Sequence, residues 1–86
     1  MNLRQIETFY WAAKLGSFSA AAERMNATQS TVSMRIQEIE RDFGVALFDR
    51  SQRTVRLTPK GRRALETYLQ QMEGILSQAR DALEKT

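Results

Sequence analysis

Five neutral hydrogen-bonding side chains, Thr28, Gln29, Ser30, Thr31 and Ser33, fall within the six residues TQSTVS. Met34 follows, and the next formal charge comes only at Arg35. Hydroxyls and a carboxamide at this density are suited to exchanging hydrogen bonds with another patterned polar surface. A second concentration of chemistry is cationic. The segment RSQRTVRLTPKGRR, residues 50–63, holds Arg50, Arg53, Arg56, Lys60, Arg62 and Arg63 and no acid. These are six of the chain's thirteen cations, so the remainder carries seven against ten acids and the +3 net charge is local in origin. Such a patch suits a polyanion, with nucleic acid the leading candidate. Catalysis has little to work with. Cysteine and histidine are absent, which removes thiolates, disulfides, and the commonest general base and metal ligand. No paired carboxylates replace them, so the expectation is a binding protein and not an enzyme, with no cofactor and no metal.

The elements that position these groups follow from periodicity. Eighty-six residues make one small domain with a modest core. An apolar content of 42% is enough to fold, and no run reaches membrane-spanning length, so no membrane partner is expected. Residues 2–15 put Leu3, Ile6, Phe9, Tyr10 and Ala13 on one helical arc. Trp11 and Leu15 fall off that arc and either close an edge of the core or serve a second packing surface. Gly16 stops the helix, Ser17 caps the next, and a short alanine-rich helix covers Phe18 to Met25. After a tight turn at Asn26 and Ala27, Thr28 caps a third helix. Its Val32, Ile36, Ile39 and Phe43, in steps of four, three and four, form a buried stripe, and Gly44 ends it. Two helices so closely joined make a helix-turn-helix pattern.

Beyond Gly44 the period shortens. Leu47 and Phe48 join the predicted core, and Ala46–Arg50 is expected to pair with Thr54–Leu57 across a tip of Ser51, Gln52 and Arg53. A hairpin placed there is a wing. Thr58 and Pro59 then supply an N-cap and a first-turn proline, and nothing but Gly74 interrupts a helix to Glu84. Its 26 residues would reach roughly 39 Å, longer than so small a body can cover. The apolar seam Leu65, Tyr68, Leu69, Met72, Ile75, Leu76, Ala79, Ala82 and Leu83 alternates steps of three and four, a coiled-coil-like pattern of about three heptads. Ala64 to Met72 has its own core to cover. The later half has none, which points to a second chain, a homodimer to which Trp11 and Leu15 lend their edge.

The expected fold is mainly α: a winged helix-turn-helix of three helices and a β-hairpin wing, followed by a long dimerisation helix. The boundary divides a DNA-binding unit, residues 1–58, from a linker helix, residues 59–86. A recognition helix enters the major groove of double-stranded DNA by its N-terminal end. There Gln29 can bond adenine in bidentate fashion, and Ser30, Thr31 and Ser33 can bond bases or phosphates. The Thr31 methyl and Met34 can meet thymine methyls. Thr28, a cap in the first place, and Arg35, Arg50, Arg53 and Arg56 are expected at the backbone or the minor groove. Arg24 is open between a phosphate and a carboxylate partner, and Arg41 is read as solvated.

Leu3 to Gly61 resembles the amino-terminal domain of LysR-type transcriptional regulators, through GSFSAAAERMN, TQSTVSMRIQEIE, GVALFDRS and RLTPKG in order and correctly spaced. The resemblance implies a bacterial, cytoplasmic regulator that dimerises through the long helix and reads an imperfect palindrome. It implies that Gln29, Ser30, Ser33 and Met34 line the major groove, that Arg53 reaches toward the minor groove, and that Arg50 lies near the backbone. Two positions depart from the family pattern, which usually has proline in place of Ser30 and often arginine in place of Met34. The family also carries a carboxy-terminal effector-binding domain. None is expected within these 86 residues, so the reading is a fragment that binds DNA and senses a small-molecule effector only through that further domain.

Overall fold

The computed structural model describes residues 2–50 and 54–84, without the side chains of Met72, Ile75 and Leu76. In chain order it forms α1 (Leu3–Leu15), α2 (Phe18–Met25), α3 (Gln29–Phe43), β1 (Phe48–Asp49), β2 (Arg56–Leu57) and α4 (Pro59–Glu84). Local capping explains each helix start. Asn2 accepts from the Gln5 backbone N–H at 2.9 Å while its own N–H donates to Gln5 Oε1 at 3.1 Å, a reciprocal box. Ser17 Oγ accepts from Ala20 N–H at 3.1 Å, and Thr28 Oγ1 accepts from Thr31 N–H at 3.1 Å. Removing such a cap typically costs about 1 kcal/mol. Asn26 ends α2 in the left-handed region, φ 56°, which asparagine tolerates far better than a branched residue. That single residue makes the turn between α2 and α3 tight.

The core sits where α1, α2 and α3 meet the base of the hairpin. Phe9, Ala12, Val32, Ile36, Ile39 and Leu47 have no exposed surface. Phe48 stands edge-on to both Phe9 and Phe18, at centroid separations of 5.6 and 5.5 Å. Each such pair contributes about 0.5–1.5 kcal/mol beyond area burial, so Phe48 joins the hairpin to α1 and α2 at one point. Ala21 and Ala22 are buried, letting α2 lie close to its neighbours as small side chains allow.

Two apolar expectations are corrected. Phe43, assigned to the core, is 42% exposed. It is the last residue of α3, at a helix end only partly covered, beside Ala64, Thr67, Tyr68 and Gln71 of α4. Leu3, placed on the core arc of α1, is 63% exposed for the same reason at that helix's first turn.

The hairpin is also shorter than expected. It pairs only Phe48 with Leu57 and Asp49 with Arg56. At each end the backbone donors are used elsewhere. Val55 N–H, on the side of the second strand that faces away from β1, donates to Gly16 O at 3.2 Å and ties that strand to the end of α1. Leu47 N–H donates to the Glu40 carboxylate at 2.8 Å. Thr58 N–H still reaches Leu47 O at 3.0 Å. The Thr58 hydroxyl donates to Ala46 O at 2.6 Å and accepts from Gly61 N–H at 3.0 Å, so the cap of α4 is locked to the entry of β1. Gly61 lies directly against this junction, where a Cβ would overlap the Leu47 carbonyl. Only glycine lets α4 approach the hairpin so closely.

Candidate nucleic-acid interface

α3 divides into two faces. Val32, Ile36 and Ile39 are fully buried, whereas Gln29, Ser30, Met34 and Gln37 are exposed and Thr31 and Ser33 half-buried. The helical period produces this split, since positions 30, 33, 34 and 37 share one side. The structure therefore brings the predicted reading residues to one exposed end of the helix. Gln37 extends the same stripe by a turn and was not singled out from the sequence. Its signal was there, an uncharged amide three residues beyond Met34 and out of phase with the apolar stripe.

At the tip the hydroxyls are already organised. Thr28 Oγ1 donates to Thr31 Oγ1 at 2.8 Å as well as accepting from Thr31 N–H. Thr28, expected also at the DNA backbone, thus has its single proton committed within the cap. Gln29 Oε1 accepts from Ser19 Oγ of α2 at 3.0 Å.

The predicted cations divide by partner. Arg35 is half-buried, and its Nη1 donates to the Thr8 hydroxyl of α1 at 3.4 Å. Thr8 is itself fully buried and donates to Arg4 O at 2.7 Å. One of the five donors of Arg35 is therefore turned into the body. Arg50 pairs with Glu40 at 3.1 Å and lies 5.2 Å from the Phe18 ring centroid. Arg56, opposite Asp49 on β2, is exposed. Arg53 lies outside the described residues. Arg24 is exposed, and its guanidinium sits 4.2 Å over the Trp11 ring.

Sequence reasoning passed over Glu40, which organises the wing. One of its oxygens accepts from Leu47 N–H at 2.8 Å and Phe48 N–H at 3.4 Å, and the other from Arg50 at 3.1 Å. α3 thereby holds the root of the hairpin through a single carboxylate. Nothing in the sequence pattern separated this glutamate from a solvated surface charge, because two of its three partners are backbone amides.

The residues assigned to the dimer surface differ in exposure. Trp11 and Leu65 pack against the chain's own core. Leu65, Tyr68 and Leu69 of α4 also line a groove of ≈ 280 Å³ with Ile6, Glu7, Tyr10 and Glu73. Ile6 and Tyr10, read as core positions, thus contribute to an open apolar groove between α1 and α4. Leu15, Leu69 and Leu83 are 42%, 36% and 76% exposed, and Ala79 is exposed. The side chains of Met72, Ile75 and Leu76 lie outside the described set. No described helix is long and apolar enough to cross a membrane.

Three helices around one core, the second and third joined by a tight turn and followed by a short hairpin, define a winged helix-turn-helix domain. Residues 3–62 match the family model described as bacterial regulatory helix-turn-helix protein, lysR family. The chain belongs to that family. It is 47% identical over 62 residues to the HTH-type transcriptional regulator YtlI of Bacillus subtilis (strain 168), a match covering 72% of this chain and 20% of that protein. It is 41% identical over 86 residues to the HTH-type transcriptional activator AllS of Klebsiella pneumoniae, covering 93% and 32%. The chain thus spans between a fifth and a third of the length of these two relatives. Among solved structures, the CbnR DBD–DNA complex superposes with a TM-score of 0.84 at 32% identity over 100% of both chains. Vibrio fischeri DarR in complex with DNA gives 0.76 at 36% identity, covering 98% of this chain and 30% of that one.

Proposed function

We propose that this chain binds double-stranded DNA in a sequence-specific way, as the DNA-binding part of a transcriptional regulator. The observation that carries the reading is the divided face of α3. Neutral donors and acceptors stand exposed at its tip while the opposite side is sealed into the core, in a fold that superposes on a DNA complex along its whole length. Base pairs differ in the pattern of donors, acceptors and methyl groups they show in the major groove. Gln29, Ser30, Thr31, Ser33 and Met34 are the residues suited to meet that pattern. Arg35, Arg50, Arg53 and Arg56, with Thr28 beside them, are assigned to the sugar–phosphate backbone or the minor groove. Two copies joined through α4 and the α1–α4 groove would present two such tips, suiting a pseudo-palindromic operator. Residues 1–58 carry the contacts and residues 59–86 the pairing. Sensing of a small effector belongs to a further carboxy-terminal domain, and the site of action is the cytoplasm. No catalytic step is assigned.

A titration against duplex DNA at several salt concentrations tests this directly. Affinity should fall steeply as salt rises, with a slope reporting several phosphate contacts. Absence of binding even at low salt would favour a protein-pairing module that uses α4 alone.

A further inference from the structure

We propose that Ser19 of α2 orients the Gln29 carboxamide, and so helps decide which base the tip of α3 accepts. The inference rests on the reading that Gln29 meets a base edge. Both residues are exposed, one in the first turn of α2 and the other the first residue of α3. The Ser19 hydroxyl donates to Gln29 Oε1 at 3.0 Å. A free glutamine amide can turn either end toward a partner. Here the carbonyl end is engaged by α2, which leaves the NH2 end with its two donors available.

The consequence for recognition follows from the groove code. Purine N7, guanine O6 and thymine O4 are acceptors, whereas cytosine presents only the N4 amino donor. An amide anchored by its oxygen suits the acceptors. Adenine also stays accessible, because a carbonyl oxygen has a second lone pair to take from N6. Cytosine at that position is disfavoured, since its N4 donor can use only that second lone pair and leaves the amide NH2 without an acceptor. Anchoring also restricts the rotamers of a long side chain before DNA arrives, which lessens the entropy lost on binding.

The test starts from the 86-residue chain and a pool of randomised duplex DNA, from which the base pair whose preference Gln29→Ala erases is identified. Affinities are then measured for the selected duplex and for one with cytosine at that position. Ser19→Ala should reduce the ratio of the two affinities by about threefold to tenfold, the range expected for one hydrogen bond. Ser19→Thr, which keeps the hydroxyl, should restore the ratio. Adding Ser19→Ala to Gln29→Ala should change nothing further, because coupled residues are non-additive. Equal loss on both duplexes, persisting in the Gln29→Ala background, would make Ser19 a phosphate contact and overturn the proposal. If Gln29→Ala leaves every base preference intact, the base-reading role of Gln29 itself fails, and the role of Ser19 falls with it.

Discussion

Glu40 offers the sharpest perturbation, because one carboxylate satisfies three donors from a different element. Its side chain is 17% exposed, and Leu47, whose N–H it accepts at 2.8 Å, is fully buried. Glu40→Ala leaves that amide without its acceptor, weakens the longer contact to Phe48 N–H, and releases Arg50. A buried donor left unpaired costs about 1–3 kcal/mol. The Arg50 pair, 39% exposed on the arginine side, contributes at most about 1 kcal/mol after solvent screening. The expected loss for Glu40→Ala is therefore about 1–4 kcal/mol. In a domain of this size, each kcal/mol lowers the melting midpoint by about 4–8 °C. Glu40→Gln keeps an oxygen for Leu47 N–H and loses only the ionic component, so its cost should stay near 1 kcal/mol or below. The assay is thermal unfolding followed by circular dichroism, at one fixed protein concentration because any self-association adds to apparent stability. Equal melting of the two variants, both within about 0.5 kcal/mol of the parent, would show that the amide contacts carry no net stabilisation. The account of how the wing is rooted would then be wrong.

Four further outcomes are expected. Gln29→Ala should change operator preference and cost about 1–3 kcal/mol on the cognate duplex; uniform weakening across sequences would remove it from base reading. Arg53→Ala should weaken binding to all duplexes and lower the salt slope by about one, whereas an unchanged slope would count against a phosphate or groove contact. Leu69→Glu combined with Leu83→Glu should give monomers in sedimentation, since both leucines are exposed on α4; a surviving dimer would place the seam elsewhere. Gly61→Ala should lower thermal stability by about 1–3 kcal/mol, the usual range for overpacking, because its Cβ would meet the Leu47 backbone. A neutral melt would mean that α4 can withdraw at no cost.

How legible this molecule was depends on whether a feature is local. The bounds of α2 and α3 and the start of α4 follow from Ser17, Thr28, Gly44, Thr58 and Pro59, residues that act within one turn of themselves. The exposed tip of α3 was equally legible, because a 3.6-residue period assigns each position a side. Failures came wherever two distant segments share a group. Periodicity places Phe43 on the apolar stripe but carries no information about where the facing body stops. Alternation suggests a longer hairpin, yet Glu40 takes the Leu47 donor that would have extended it, and Gly16 holds Val55 against α1. Trp11 resisted assignment for a related reason. Its cover is Arg24 from α2, a cation over an aromatic face that no local pattern reveals.

The separation of reading from gripping gives the neutral tip a physical rationale. A cation attracts every phosphate alike, so affinity gained from it rises for all sequences together and leaves discrimination unchanged. A hydroxyl or carboxamide gains little from the wrong base and leaves a desolvated group unpaired there, so its contribution lies mostly in the difference between sites. Concentrating six cations in residues 50–63 while keeping residues 28–34 uncharged therefore allows each quantity to be set almost independently. Glu40 then carries a constraint of its own. Because one side chain of α3 holds Leu47, Phe48 and Arg50, the wing, assigned to gripping, is fixed in angle to the helix assigned to reading. Loosening that carboxylate should reduce specificity and overall affinity together, even though Glu40 sits on neither contact surface. Arg53→Ala, by contrast, should move overall affinity alone, and Gln29→Ala mainly specificity. Measuring all three variants on matched cognate and non-cognate duplexes would separate the mechanical coupling from the chemistry. A Glu40→Ala variant that kept the parental ratio between duplexes would show that the tip reads DNA without help from the wing.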